Sequence, residues 1–579
     1  MKFKHLFIYA LAGMALCSCH DLNLQPLSEA SDETWFADKT QVEMSLNTLY
    51  LQQFWPLFKN CLYGTKDIMA MDEATDDWTN RSTLTVFTNG TLNGNNSTAI
   101  KGTWENSYKA ISRCNTILAN IERSKDNLTT ELYERYMGDA RFVRACQYSR
   151  LISLYGDVPY FTEEISLEEA YKMGRTDKAE VLQHIYDDFD YAAQKLPVAY
   201  DGNEMKRATQ GAAYAMKARI ALFFKDYATA RDAAKSCMDL KIYSLYPDFG
   251  ELFLSKTKNS VETVFGIPRS VEYGQMLQGG AVTAYLPRTA GGTSTANPSW
   301  DLLCSFLCTD GKTIDQSTVY NPQKPFDNRD PRCTATIVPF NTRHLGFNYT
   351  PEPDSAKCWS YKESAKITNK DSKGGDQYAS YNGLILKKGI DETWVNNGSY
   401  TVDPDKLIMR YADVLLMYAE AKIELNDIDQ SVLDAMNTVR ARAYKADINS
   451  GSYPRITETG QAALRRLLRI ERRMEFAFEG WRYWDILRWR IAEDVMNRPN
   501  YGLPTSVANC KKLITSKVWF FSGTPQIDEN GSPDFSTMAG IAQYRVLSQR
   551  VFDVKKQYLW PIPTDDVLIN ANLQQNPNY

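Results

Sequence analysis

Histidine is nearly missing from this chain: 579 residues contain four, and His20, His184 and His344 are the ones beyond the N-terminal leader. None lies in an HExxH run, in a Cys/His cluster or near a GxSxG turn, which excludes zinc-protease and histidine-dependent hydrolase chemistry. Long apolar runs are missing too. The stretch from Leu6 to Cys17 is too short to cross a bilayer, and no later one reaches eighteen apolar residues. No basic block exists either. With 66 Lys+Arg against 70 Asp+Glu the formal net charge is −4, so nucleic acid is not an expected partner. Cysteine is sparse for a disulfide framework: setting Cys17 and Cys19 aside leaves nine of eleven, an odd number that rules out complete pairing within the chain. Cys114, Cys146 and Cys237 fall in helical patterns as small apolar residues. Cys304 and Cys308 sit one helical turn apart with no histidine or second cysteine pair nearby, so no zinc site is expected, nor any other metal or cofactor.

What is present begins with export. Lys2 and Lys4 precede the short apolar run, which suits a signal peptide over 1–18. The run ends Leu16-Cys17-Ser18-Cys19, which resembles a bacterial lipobox and makes Cys19 the expected lipidated first residue, an acyl anchor being the sole membrane attachment.

The densest stretch is Ile470 to Arg490, where three tryptophans, a tyrosine and two phenylalanines alternate with five arginines and four acids. Leu467, Ile470, Met474, Ala477 and Phe478 share one helical face, Gly480 interrupts it, and Trp481, Trp484 and Leu487 begin a second. Arg472 with Glu475, Glu479 with Arg482 and Arg482 with Asp485 are spaced to pair along the polar side.

Helical periodicity also runs through 41–53, 103–121, 132–154 and 180–196. The stretch 208–240 reads as two helices broken at Lys225-Asp226, and 407–443 repeats that layout with Asn426-Asp427 at the break. Helix pairs of this kind bury their apolar faces only by stacking. The expected fold is therefore mainly α: tetratricopeptide-like helix pairs forming a curved scaffold, with few short strands. Between Tyr246 and Pro404 three Gly-Gly pairs and eleven prolines mark a large loop-rich insertion. VETVFGIP and YNGLILKKG suit short strands there and SWDLLCSFL a helix. The expected division is 19–245 helical, 246–404 loop-rich and ligand-binding, and 405–579 helical, completing the same domain. A second irregular segment covers 501–535, before a last helix near 536–547.

Some aromatics have no packing period to explain them. Trp78, Trp359, Tyr361 and Trp394 lie in irregular Gly- or Asn-rich surroundings, and Trp300 opens a helix. An aromatic ring offers apolar area to the C–H face of a sugar at little entropic cost, so these five form a candidate platform, with Asp76, Asp77 and Arg81 as hydroxyl partners. A loop aromatic can equally pin its loop to the scaffold. A glycosidase needs two carboxylates a few ångströms apart, and Asp72, Glu73, Asp76 and Asp77 are the best candidates for one. The acid run lacks the Asp-x-Asp-x-Asp-Gly pattern of a calcium loop.

Several blocks in fixed order carry a resemblance over nearly the whole length: CHDLNLQPLSEASDETWF, ARFVRACQYSRLISLYGDVPYFT, ANPSWDLLCSFLCTDGKTID, FDNRDPRCTATIV, RYADVLLMYAEAKIEL, Ile470 to Arg490, and the terminal YLWPIPTDDVLINANLQQNPNY. The chain resembles the SusD/RagB family of glycan-binding outer-membrane lipoproteins of Bacteroidetes, of the starch-utilisation-system type. The resemblance implies a cell-surface, lipid-anchored, non-enzymatic protein. It would capture oligo- or polysaccharide and deliver it to a TonB-dependent, SusC-like transporter. It also implies a glycan site on loops of the first third and the irregular middle. The residues alone leave two alternatives open, a surface glycoside hydrolase and a helical-repeat scaffold that binds only protein.

Overall fold

The computed structural model describes residues 35–55, 71–80, 84–95, 97–201, 207–396 and 398–579. The leader, Cys19 and Arg81 lie outside them. Before the irregular middle come helices α1 (Lys39–Asn47), α2 (Gly102–Asn120), α3 (Thr130–Tyr155), α4 (Lys178–Lys195), α5 (Gln210–Phe223) and α6 (Tyr227–Asp239). After it come α7 (Tyr411–Glu424), α8 (Gln430–Ala443), α9 (Gln461–Phe476) and α10 (Arg482–Trp489). From α2 to α9 each helix packs on the next, and α6 packs directly on α7, so the helical layer continues as though the middle were absent. Ala212, Ala215 and Ala218 on α5 and Ala230 and Ala234 on α6 are buried, which lets those helices approach closely.

Local chemistry sets the boundaries. Asp38, Thr129, Asp177, Thr209, Asp226 and Asp429 accept hydrogen bonds from first-turn amides and start their helices. The two breaks singled out as equivalent close in the same way. Lys225 and Asn426 are both left-handed (φ 65° and 56°), and the next amides, Asp226 and Asp427, each donate back to Ala221 and Lys422 carbonyls at 2.9 Å. The internal repeat is thus a repeat of geometry.

Two large apolar cores result, with a small third cluster of Val338, Tyr349 and Ile385. One lies within the helical layer. The other collects Leu277 to Val402 together with Leu503, Phe520, Phe521, Phe535 and Tyr544, so the loop-rich body extends beyond 246–404 into the C-terminal part. Helix α9 stands between them. Ile470 and Met474, with Ala477 and Phe478 just beyond its end, face the second core, whereas Leu464, Leu468 and Phe476 face the first. Because both sides of the end of α9 are covered, its Arg472 and Arg473 are buried, like Arg482 on α10, and pair with acids outside the helix. Arg472 pairs with Asp413 and Asp485, Arg473 with Asp76 and Asp77, and Arg482 with Asp76. None of the three expected pairings along the helix is the one used. Further buried pairs join Arg410 to Glu262, Glu475 and Glu479, and Arg332 to Asp330, Glu471 and Glu475.

The strands are short: β1 (Trp78–Asn80), β2 (Thr263–Ile267), β3 (Ala296–Pro298), β4 (Thr342–His344), β5 (Phe347–Tyr349), β6 (Lys357–Ser360), β7 (Ala365–Thr368) and β8 (Lys406–Arg410). β1 pairs with β3 and β2 with β8, whereas β4 to β7 form an antiparallel four-stranded sheet in sequence order. YNGLILKKG forms only an isolated bridge, Leu386 to Ile337. The last helix expected near 536–547 is instead two 3₁₀ turns and the strand Arg545–Gln549, which pairs with Pro499–Gly502.

Candidate functional site

The acid-rich segment is not a solvated loop. Asp76 and Asp77 are buried, held by Arg473 at 2.9 and 2.6 Å, with Arg482 also 2.9 Å from Asp76. Burial pushes the Asp76 carboxyl up, but the two guanidiniums outweigh it and hold it well below the usual carboxylate range. Burial pushes Asp77 up against the pull of Arg473, with the Asp76 charge adding to the rise. Asp72 accepts from the Gly480 amide at 2.9 Å, and burial raises it well above the usual range. These acids therefore tie the first third of the chain to the turn between α9 and α10.

Three of the expected platform rings are core residues. Trp78 is 4% exposed and stacks on Phe478 at 5.4 Å, with Tyr285 edge-on. Trp300 is enclosed by Phe520, Phe521, Phe535 and Tyr544, and its indole N–H donates to the Asn382 carbonyl at 2.7 Å. Trp394 is buried in the second core. Each pins an irregular segment, and none offers a face to a ligand. The same holds for Asp76 and Asp77, whose carboxylates are consumed by arginine.

Trp359 and Tyr361 are different: they stand 41% and 43% exposed at the sheet β4–β7. Alternation along β6 turns Cys358 and Ser360 inward and Lys357 and Trp359 outward. The inner face is closed by His344, Tyr349 and Cys358, and burial pulls the His344 imidazole down to about 3, so it is neutral. The Tyr349 hydroxyl donates to the Gly383 carbonyl at 2.9 Å, fastening the sheet to the second core. On the outer face the Arg343 guanidinium lies 4.9 Å over the Tyr361 ring and 3.0 Å from Glu392. Glu392 is delivered by the segment that Trp394 anchors, so Trp394 acts on this face from below. Asn348 pairs with Arg343 across the strands and Lys366 with Trp359. The result is two rigid rings bordered by hydroxyl-binding donors and acceptors.

Two exposed rings of the irregular middle were missed, Tyr273 and Tyr378, the latter with Arg288 5.5 Å from its ring centre. Tyr378 lies in GGDQYAS, a Gly-rich irregular run, the same signal that selected Trp359. A Cβ on Gly375 would sit 2.0 Å from the Asn369 carbonyl and 3.1 Å from that of Ala356, so this run adjoins the open end of the β6–β7 hairpin.

A cavity of about 190 Å³ at the seam of the two bodies is lined by Arg150, Arg219, Lys388, Trp481 and Trp484. Trp55 and Met71, which bracket 56–70, also line it, so its mouth is not defined by the described residues. Among those residues no group of three or more His, Cys, Asp or Glu is placed to hold a metal, and no helix is long and apolar enough to cross a membrane. The eight described cysteines are free and buried.

Residues 262–579 match the model of the SusD family, and residues 32–222 match a model described as starch-binding associating with outer membrane. A SusD-like carbohydrate-binding protein of Bacteroides fragilis is 29% identical with a TM-score of 0.76, over 93% of this chain and 99% of that one. A SusD-like protein of Formosa agariphila is 25% identical over the full length of both chains. A laminarin-binding SusD-like protein shares the fold at 17% identity and a TM-score of 0.63, over 94% of this chain and 100% of that one. With more than half of its length under one family model and its helical layer and loop-rich body shared with a relative across nearly all of both chains, the chain belongs to the SusD family.

Proposed function

We propose that the protein captures glycan at the cell surface on the outer face of the β4–β7 sheet. The observation that carries this reading is the pair Trp359 and Tyr361, solvent-facing on a sheet whose other face is fastened to a core. A sugar ring can stack there while Arg343, Asn348 and Glu392 meet its hydroxyls. The carbohydrate-binding relative supports it. Binding proceeds without catalysis: of the glycosidase candidates Asp72, Glu73, Asp76 and Asp77, the last two are locked in arginine pairs and Asp72 is buried against the Gly480 amide. Each stacking ring contributes about 1–2 kcal/mol, so Trp359→Ala should weaken a cognate oligosaccharide roughly five- to thirty-fold with the fold intact. Titration calorimetry measures this, and a variant that binds like wild type removes the platform.

The protein is held at the outer membrane by acyl chains on Cys19, a reading supported by the lipobox-like run and by the outer-membrane description of the matching family model. Cys19→Ala should release it from the membrane fraction. An unchanged detergent requirement would rule the anchor out.

It hands its glycan to a TonB-dependent, SusC-like transporter. The helical layer offers a rigid surface, and exposed apolar residues lie at its edge: Leu167 and Tyr171 on one element, Leu568 and Ile569 on another, with Asn570 donating to the Met173 carbonyl at 2.8 Å between them. A photo-crosslinker at Leu568 in native outer membranes should recover the transporter. Recovery of other partners alone would sink this assignment.

A further inference from the structure

The ligand face is not neutral. Lys357 and Lys366 flank Trp359, one two residues before it on the same strand and the other directly opposite on β7. Lys357 donates to the Thr368 hydroxyl at 3.1 Å, and neither lysine forms an ion pair among the described residues. Lys362, in the β6–β7 turn, lies 5.6 Å from the Phe347 ring centre, likewise without a carboxylate. Arg343 does have one: Glu392 sits on its guanidinium beside the Tyr361 ring. Phe347 pairs with Ser360 and so faces inward, which leaves Lys357 and Lys366 as the ammoniums beside Trp359; on a chain of formal charge −4 they make a local reversal of sign.

Resting on the reading that this face takes glycan, we propose that the glycan is acidic, with a uronic-acid residue seated at Trp359. A neutral sugar gains nothing from ammonium groups that keep their hydration. A carboxylated one gains attraction that strengthens as stacking excludes water. The spacing suits a uronate. Facing residues on antiparallel strands have Cβ atoms about 4.5–5.5 Å apart, so the Lys366 side chain rises beside a ring stacked on Trp359, at the height of that ring's own carboxylate. The Arg343–Glu392 pair against Tyr361 already displays such an arrangement of carboxylate, cation and aromatic face. A second uronate could displace Glu392 there, a bidentate site for the planar guanidinium.

The test is calorimetry of the full mature chain against oligogalacturonates and oligomannuronates, sulfated carrageenan oligosaccharides, and neutral malto- and laminari-oligosaccharides. A uronate oligomer is expected to bind, to weaken at least tenfold between low and high salt, and to lose about tenfold more in the Lys357→Gln/Lys366→Gln variant. Lys→Arg at both positions should restore most of it. Both lysines are exposed, so an unchanged circular dichroism spectrum is expected in each variant. Tight binding of a neutral oligomer that Trp359→Ala abolishes and the lysine changes leave alone overturns the acidic ligand but keeps the glycan platform. Preference for the sulfated oligomer over every uronate overturns the carboxylate assignment. Glycan binding that ignores Trp359→Ala overturns the platform itself.

Discussion

Replacing Arg473 with methionine should destabilise the protein by about 3–5 kcal/mol, because it leaves a buried carboxylate without a cation rather than merely deleting a contact. Arg473 holds both Asp76 and Asp77, and its guanidinium also reaches the Ser532 hydroxyl at 3.1 Å. With it gone, Arg482 still covers Asp76, but Asp77 keeps no cation. The pair would have to take up a proton or draw in water, and the 72–80 segment would loosen from α9. The companion variant separates this cost from lost packing. Arg473→Met combined with Asp77→Asn should recover much of the loss, since the carboxylate left without a cation is gone while Arg482 still neutralises Asp76. Urea denaturation of the three proteins decides it. A single variant as stable as wild type, or a double variant no better than the single, would show that the arginine contributes by shape alone.

The second large effect is with pH. Burial pushes Asp413 up, but Arg472 and Arg219 outweigh it and pull the carboxyl down to about 2. Glu475 is held lower still, where Arg442, Arg410 and Arg332 overcome its burial, and Asp76 is depressed by Arg473 and Arg482. A carboxyl with a folded-state pKa below its unfolded value contributes stability that is fully present above the unfolded pKa. It is lost as pH falls through the folded one. For Asp413 the contribution is on the order of 2 kcal/mol, lost between about pH 5 and pH 2. Asp72 and Asp77 act with the opposite sign, since burial raises both and protonation relieves them. Buried Asp139, Asp301 and Asp371 are raised in the same way, so the relief of these acids offsets part of the fall. The urea midpoint should thus begin to fall below about pH 6.5, where buried His344 refuses the proton that the unfolded chain takes up, and drop more steeply below pH 5, with Asp413→Asn less stable at pH 7 but flatter in acid. A midpoint that holds or climbs between pH 5 and 3 would contradict this.

The helical layer was legible because its information is local. Apolar residues recur at helical steps, Asp and Thr stand at the starts, and the breaks at Lys225 and Asn426 close through hydrogen bonds only a few residues long. The family, too, could be recognised from blocks within single elements. The candidate site was legible in part. Of the five rings that lack a packing period, Trp359 and Tyr361 stand in solvent, and Tyr273 and Tyr378 lie in the same kind of irregular surroundings. The sheet that carries them was not foreseen, since strands of three or four residues are too short to establish a period of two.

What the sequence by itself determined, then, was the order of helices, their caps and the kind of residue available to meet a sugar. Which aromatic stays in solvent and which acid stays charged and free were decided only by tertiary structure. Asp76 and Trp78 have the composition of an exposed polar loop, yet their partners are Arg473, Arg482 and Phe478, about four hundred residues away in the chain. Burial is a property of what lies opposite a residue, and no window along the chain contains it. The outer face of β4–β7 is open for the same reason: its inner side chains find a core, and nothing among the described residues covers Trp359.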